Sequence, residues 1–268
     1  MESEKGYSTD GATIRIPLTE HDFSLAGTLF RRPHRQDHFL FIVCHGLCST
    51  QRHSSVVQAL VSSMPYHLLT IDFQGNGDSG GTTSYAGYDA EVENLRASVI
   101  EMRKQGFDVR GVIGHSRGAA VVLMYTAKYN DIDFTVSVAG RYNHNIDLTM
   151  RFTPTQLRTA DEQGRFEWLK LSNGQEYVVS KEDLEAFKRI DMSVVKQIDM
   201  EKTRVLTVHG DKDEVIPVED AYEYHRILGR RHHLVVIPDA LHSFDSKEEQ
   251  HKLCEAVTRW LGENMDKS

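Results

Sequence analysis

The sequence predicts an α/β chain built on a mostly parallel, doubly wound sheet. Three observations point that way. Strand-like apolar runs alternate with amphipathic helical runs over most of the 268 residues. The run 39–44 (Phe-Leu-Phe-Ile-Val-Cys) is apolar throughout, as a strand covered on both faces must be. A G-x-S-x-G turn, Gly114-His115-Ser116-Arg117-Gly118, joins an apolar β-rich run (Val109, Val112, Ile113) to a run with helical spacing (Ala119, Ala120, Val122, Leu123, Ala127).

In chain order, residues 13–16 and 23–30 read as a β-hairpin that Arg31-Arg32-Pro33 closes. The buried strand 39–44 follows, then a helix over 54–64 and a strand over 67–73. Residues 90–105 have helical spacing through Val92, Leu95, Val99 and Met102. After the glycine-flanked turn and its helix come strand 134–138, strand 204–208, helix 218–228, strand 234–237 and helix 248–261. No internal repeat or low-complexity linker interrupts the order, so one domain over 1–268 is expected.

Residues 141–200 break the alternation. A polar helix-like segment (153–162) precedes an alternating strand (166–171), a Ser172-Asn173-Gly174-Gln175 turn, a return strand (176–179), and a helix that Ser180 caps and that runs to Phe187. An insertion between two sheet strands lies above their C-terminal ends, where open α/β sheets bind ligands. A cap that shapes a substrate site is therefore expected. Its aromatic residues Phe166, Trp168 and Tyr177 suit either an aromatic acyl group or packing within the hairpin, and both readings stay open.

The chemistry centres on Ser116. A sharp turn forces this residue into a sparsely populated backbone conformation, so the residues two before and two after must be small; Gly114 and Gly118 fill those places. The following helix directs its free N–H groups and dipole at the serine. A serine hydroxyl needs a base and a group that orients the base. In the order Ser…Asp…His, the orienting acid should follow strand 204–208, where Asp211 and Asp213 both qualify. His242 follows the last strand and precedes the final helix, and is the candidate base. The tetrahedral oxyanion calls for two backbone N–H donors, expected from Arg117 and from Leu47, which follows His45-Gly46 at the end of strand 39–44. The Arg117 side chain is then free to pair with an acidic neighbour. The glycine-rich stretch 72–79 lacks G-x-G-x-x-G and a P-loop lysine, and reads as a structural loop under the site.

Lysine and arginine total 31 against 39 acids, a net charge of −8, which argues against nucleic acid as a partner. No apolar run reaches the ~18 residues of a membrane span, so no membrane partner is expected. The opening Met1-Glu2-Ser3-Glu4-Lys5 is too polar for a secretory h-region. Three cysteines, Cys44, Cys48 and Cys254, are an odd count and suggest reduced thiols in a cytoplasmic protein. Arg231-His232-His233 reads as a solvated strand start. No H-E-x-x-H or C-x-x-C spacing occurs, so neither metal nor cofactor is expected. Oligomeric state is not readable.

Four segments in order resemble the α/β-hydrolase superfamily, in particular small serine esterases of the cinnamoyl (feruloyl) esterase-like group and related plant and fungal hydrolases. They are Cys44-His45-Gly46-Leu47, residues 72–79, Gly114 to Gly118, and the segments carrying Asp213 and His242. The family pattern G-x-x-D-x-x-(V/I)-P aligns with Gly210, Asp213, Ile216 and Pro217. By that resemblance Asp213, rather than Asp211, is the acid, His242 is the base, and His45 and His115 hold supporting positions. The reading is a carboxylic ester hydrolase that forms an acyl-enzyme on Ser116, with a weak preference for short-chain or aryl esters drawn from the cap aromatics and the polar composition. Thioester and amide cleavage and acyl transfer use the same residues. The other class open to this fold is a small-molecule receptor that binds a similar ligand with little or no turnover.

Overall fold

The computed structural model describes Tyr7 and residues 10–265; the polar opening at residues 1–5 lies outside them. Ten strands and seven α-helices occur among the described residues. The strands are β1 (Ala12–Pro17), β2 (Ser24–Phe30), β3 (Phe39–Cys44), β4 (His67–Ile71), β5 (Asp108–His115), β6 (Phe134–Val138), β7 (Arg165–Lys170), β8 (Glu176–Ser180), β9 (Arg204–Gly210) and β10 (His232–Ile237). The helices are α1 (Ser55–Ser63), α2 (Tyr88–Lys104), α3 (Arg117–Tyr129), α4 (Pro154–Gln163), α5 (Lys181–Lys188), α6 (Glu219–Leu228) and α7 (Lys247–Met265).

Eight strands form one sheet in the order β1-β2-β4-β3-β5-β6-β9-β10. Pairing is antiparallel at β1–β2 and β2–β4, and parallel from β4 to β10. The apolar run of β3 has a direct cause. Leu40, Ile42 and Cys44 join the hydrophobic cluster on one face of the sheet, while Phe41 and Val43 join the cluster on the other. Side chains alternate along a strand, so a strand covered on both faces needs apolar residues at every position. Helices α2, α3 and α6 bury Leu95, Val122 and Tyr224 in the first cluster, and α1 and α7 bury Leu60 and Trp260 in the second. The expected α/β order with a mostly parallel sheet is what the chain forms.

Between β6 and β9 the chain makes α4, the separate antiparallel pair β7–β8, and α5. Thr153 and Ser180 cap α4 and α5, each with a reciprocal capping box, Thr153 with Gln156 and Ser180 with Asp183. The aromatic hairpin residues pack within this region. Trp168 lies edge-on to Tyr85 and Phe152, Phe166 edge-on to Phe152, and Tyr177 is buried against Trp168.

The start of β10 differs from expectation. His232 is buried rather than solvated, with Nε2 2.9 Å from Thr207 Oγ1 and Nδ1 3.0 Å from His225 Nδ1. The parallel pairing of β10 on β9 carries its first residue under α6, which a polar triplet in the sequence does not reveal. All three cysteines are free thiols, and no described helix is long and apolar enough to cross a membrane.

Candidate active site

The turn after β5 is tight because backbone passes on both sides of it. Ser116 adopts φ 56°, ψ −117°, outside the ordinary regions for a residue with a side chain. A Cβ on Gly114 would lie 2.1 Å from Gly118 O, and one on Gly118 would lie 2.5 Å from His45 O. Neither position tolerates a side chain without moving backbone. The Ser116 N–H is held by Val138 O at 2.8 Å, which ties the turn to the end of β6.

Three side chains from three strand ends meet above the sheet. His242 Nε2 is 2.9 Å from Ser116 Oγ, and His242 Nδ1 is 2.7 Å from Asp213 Oδ2. Ser116 therefore donates to Nε2 while Nδ1–H donates to the carboxylate, the only protonation pattern of a neutral imidazole that satisfies both contacts. Asp213 Oδ1 accepts from the N–H groups of Val215 and Ile216 at 2.8 and 2.7 Å. Its carboxylate is fully buried, as is the ring of His209, whose Nε2 lies 3.2 Å from Asp213 Oδ2 and 2.9 Å from Ile216 O. Burial alone would raise the Asp213 pKa. The hydrogen bonds from His209 and His242, the His242 charge and the Ile216 N–H outweigh it and hold the carboxyl well below its usual range. Asp211 is spent elsewhere, accepting from Asp239 N at 2.7 Å.

The supporting histidines have identifiable tasks. His45 Nδ1 donates to Gly46 O at 2.7 Å while Nε2 accepts from Phe73 N at 3.1 Å, which fixes the bend leading into Leu47. Gly46 passes so close that an added Cβ would meet Ser116 Cβ at 3.1 Å. His115 Nε2 donates to His242 O at 2.9 Å and pins the backbone that carries the imidazole. Burial, aided by the His242 charge, holds His115 down to about 4, so it stays neutral near pH 7. The loop 72–79 is structural: the Asp72 carboxylate accepts from Gln51 N at 2.8 Å and Asp78 N at 3.1 Å.

Arg117 donates from Nε to Glu91 on α2 at 2.7 Å, and from its Nη atoms to Tyr85 O and Ser84 O at 2.8 and 3.0 Å. The expected acidic partner is thus Glu91. A cavity of about 250 Å³ opens over Ser116. Its floor is Leu47, Ser116, Arg117 and His242; Tyr85 comes from the loop into α2 and Tyr88 from the start of α2, Val215 and Ile216 from the loop after β9, and Arg141, Ile146, Arg151 and Phe187 from the segment after β6. The hairpin aromatics Phe166, Trp168 and Tyr177 do not line it; Trp168 packs edge-on against Tyr85, which does. His209, Glu91 and the insertion arginines carry no sequence motif. His209 alone had a cue, a polar residue at the buried end of a strand.

Residues 53–268 match the profile of the prolyl oligopeptidase family. The chain belongs to that family. The ferulic acid complex of Est1E from Butyrivibrio proteoclasticus has a similar fold, with TM-score 0.75 and 19% identity over 94% of this chain and 99% of that one. The Pyrococcus furiosus esterase Pf2001 gives TM-score 0.70 and 19% identity over 95% and 91% of the two chains. By sequence, a monoacylglycerol lipase of Mycolicibacterium smegmatis is 26% identical over 219 residues, 72% of this chain and 77% of that protein. The Bacillus subtilis protein YqkD, uncharacterized, is 23% identical over 237 residues, 85% and 72% of the two chains. The fold of this family member is that of the α/β-hydrolases, in agreement with the resemblance drawn from the sequence.

Proposed function

We propose that this α/β-hydrolase cleaves carboxylic esters through an acyl-enzyme on Ser116, with His242 as base and Asp213 as its orienting acid. The observation that carries the reading is the unbroken hydrogen-bonded chain from Ser116 Oγ through His242 to the buried Asp213 carboxylate. As Oγ attacks the carbonyl carbon, its proton passes to His242 Nε2, and the Asp213 carboxylate stabilises the imidazolium. The oxyanion accepts from the backbone N–H groups of Leu47 and Arg117; the second is the first residue of α3 and has no intrahelical acceptor. His242 then protonates the leaving alkoxide, and water deprotonated by the same imidazole releases the acid. No step requires a cofactor. The segment 141–200 acts as a cap, since four of its residues wall the cavity.

Ester rather than peptide chemistry is favoured because the similar structures include esterases and the similar sequences a monoacylglycerol lipase. The test pairs a fluorophosphonate probe with p-nitrophenyl acetate and butyrate and an aminoacyl anilide. Wild type should label and should cleave the esters in preference to the anilide. Ser116→Ala should abolish labelling and lower kcat by roughly a thousandfold or more. A folded wild type that neither labels nor turns over any ester would overturn the proposal.

A further inference from the structure

We infer that the ester cleaved at Ser116 carries a carboxylate, received by Arg141 and Arg151 on the cap side of the pocket. The inference deepens the ester-hydrolase reading of the same cavity and rests on it.

Both guanidinium groups line the cavity over Ser116, and both also line an adjoining cavity of about 500 Å³, so they stand where the two join. Among the described residues neither makes an ion pair. Arg141 is 8% exposed, yet a single hydrogen bond accounts for its side chain, from Nη2 to Val215 O at 2.6 Å. A guanidinium has five N–H donors, and the other nitrogens of Arg141 keep some accessible surface and have no acceptor among the described residues. Asp220, whose field reaches Arg141, spends its Oδ2 on the N–H groups of Tyr142 and Asn143 instead. The half-buried Arg151 lies 6.0 Å from the Trp168 ring centroid, so the hairpin aromatic that does not touch the cavity supports a residue that does.

Compare Arg117, whose charge is fully answered by Glu91 and two carbonyls. Burying a charge without a partner is costly, and this chain carries an excess of acids, net −8, from which partners could have been drawn. Two unpaired guanidinium groups at one cavity wall are therefore a site for an anion that arrives with the ligand. The carboxylate geometry suits them, since each presents a planar fork. The acidic groups of the adjoining cavity are Asp213, paired with His242, Asp220, and the exposed Glu214 at its outer edge. None of these lines the cavity over Ser116.

The test separates binding from turnover. Ser116→Ala protein is titrated by calorimetry with succinanilate, an anionic amide that stands in for an ester, and with butyranilide, its neutral counterpart. Succinanilate should bind roughly tenfold tighter or more, the scale of a charge-assisted hydrogen bond. Adding Arg151→Gln, at a half-exposed position that should fold normally, should remove most of that preference; Arg141→Lys, which keeps charge but loses the fork, should weaken it. Equal binding of the two ligands, or a preference that survives both substitutions, overturns the inference. Failure of the ester-hydrolase reading would appear instead as a wild type that no fluorophosphonate labels.

Discussion

At Ser116 the backbone is held in a conformation it would not choose, and the surrounding glycines show what holds it there. Gly118 is in contact with the end of β3: its absent Cβ would sit 2.5 Å from His45 O and 2.8 Å from Cys44 O. Gly118→Ala must displace that carbonyl pair, which immediately precedes Gly46 and Leu47. Overpacking of this kind costs about 1–3 kcal/mol, and denaturant titration should show it together with a loss of ester turnover larger than the stability change explains. His209 acts at similar range. Its ring is fully buried and shares Asp213 Oδ2 with His242, so His209→Phe should leave the carboxylate freer to rotate. The expected result is a drop in kcat with little change in KM; an unaltered kcat would show that Val215 and Ile216 N–H suffice to hold Asp213. Ser116 and His242 were legible as candidates because strand-end position and residue type mark them, whereas only the family resemblance separated Asp213 from Asp211. His209 had only a cue, a polar residue near the buried end of β9, which does not say what its ring faces.

The helices α2 and α3 are joined by a buried charge pair, Arg117 with Glu91, both side chains about 5% exposed or less. Burial raises the Glu91 pKa while Arg117 opposes it. A buried pair adds little relative to a well-packed apolar pair, but one partner left alone is expensive. Arg117→Met should therefore cost about 3–5 kcal/mol, whereas Arg117→Met with Glu91→Leu should recover most of that loss in the same denaturant titration. Equal instability of the single and double variants would mean that the carbonyls of Ser84 and Tyr85 carry the interaction. At this scale the order of elements was readable from the sequence, since periodicity changes from two to 3.6 at each junction. Strand order was not: nothing in β4 announces that it pairs with both β2 and β3. The cap elements were readable from their caps and turn, yet Arg141 and Arg151 lie in irregular chain, where no period says which way a side chain points.

Across the whole molecule, stability should depend on buried histidines more than on the net charge. Burial holds His115 and His144 down to about 4 and His232 down to about 3, against an ordinary value of 6.5. His45 and His67 are lowered by the same cause. Between the folded and ordinary values, the unfolded chain binds protons that the folded chain refuses, so stability rises with pH across that window and falls as acid is added. The Asp213 carboxyl, depressed in the folded state, acts in the same direction at lower pH; Glu91 and Asp220, raised by burial, act against it. The histidines are the more numerous, and each contributes up to about 1.4 kcal/mol per pH unit inside its window. Urea titrations at fixed temperature should show a plateau near pH 7 to 8 and a loss of a few kcal/mol on the way to pH 5. His232→Asn should lower stability at pH 7, where the bond to Thr207 is lost, and should also flatten the slope, because the substitute does not titrate. A flat wild-type profile from pH 7 to 5 would mean that these rings take up protons in place, with His225 and solvent making room for the charge at His232.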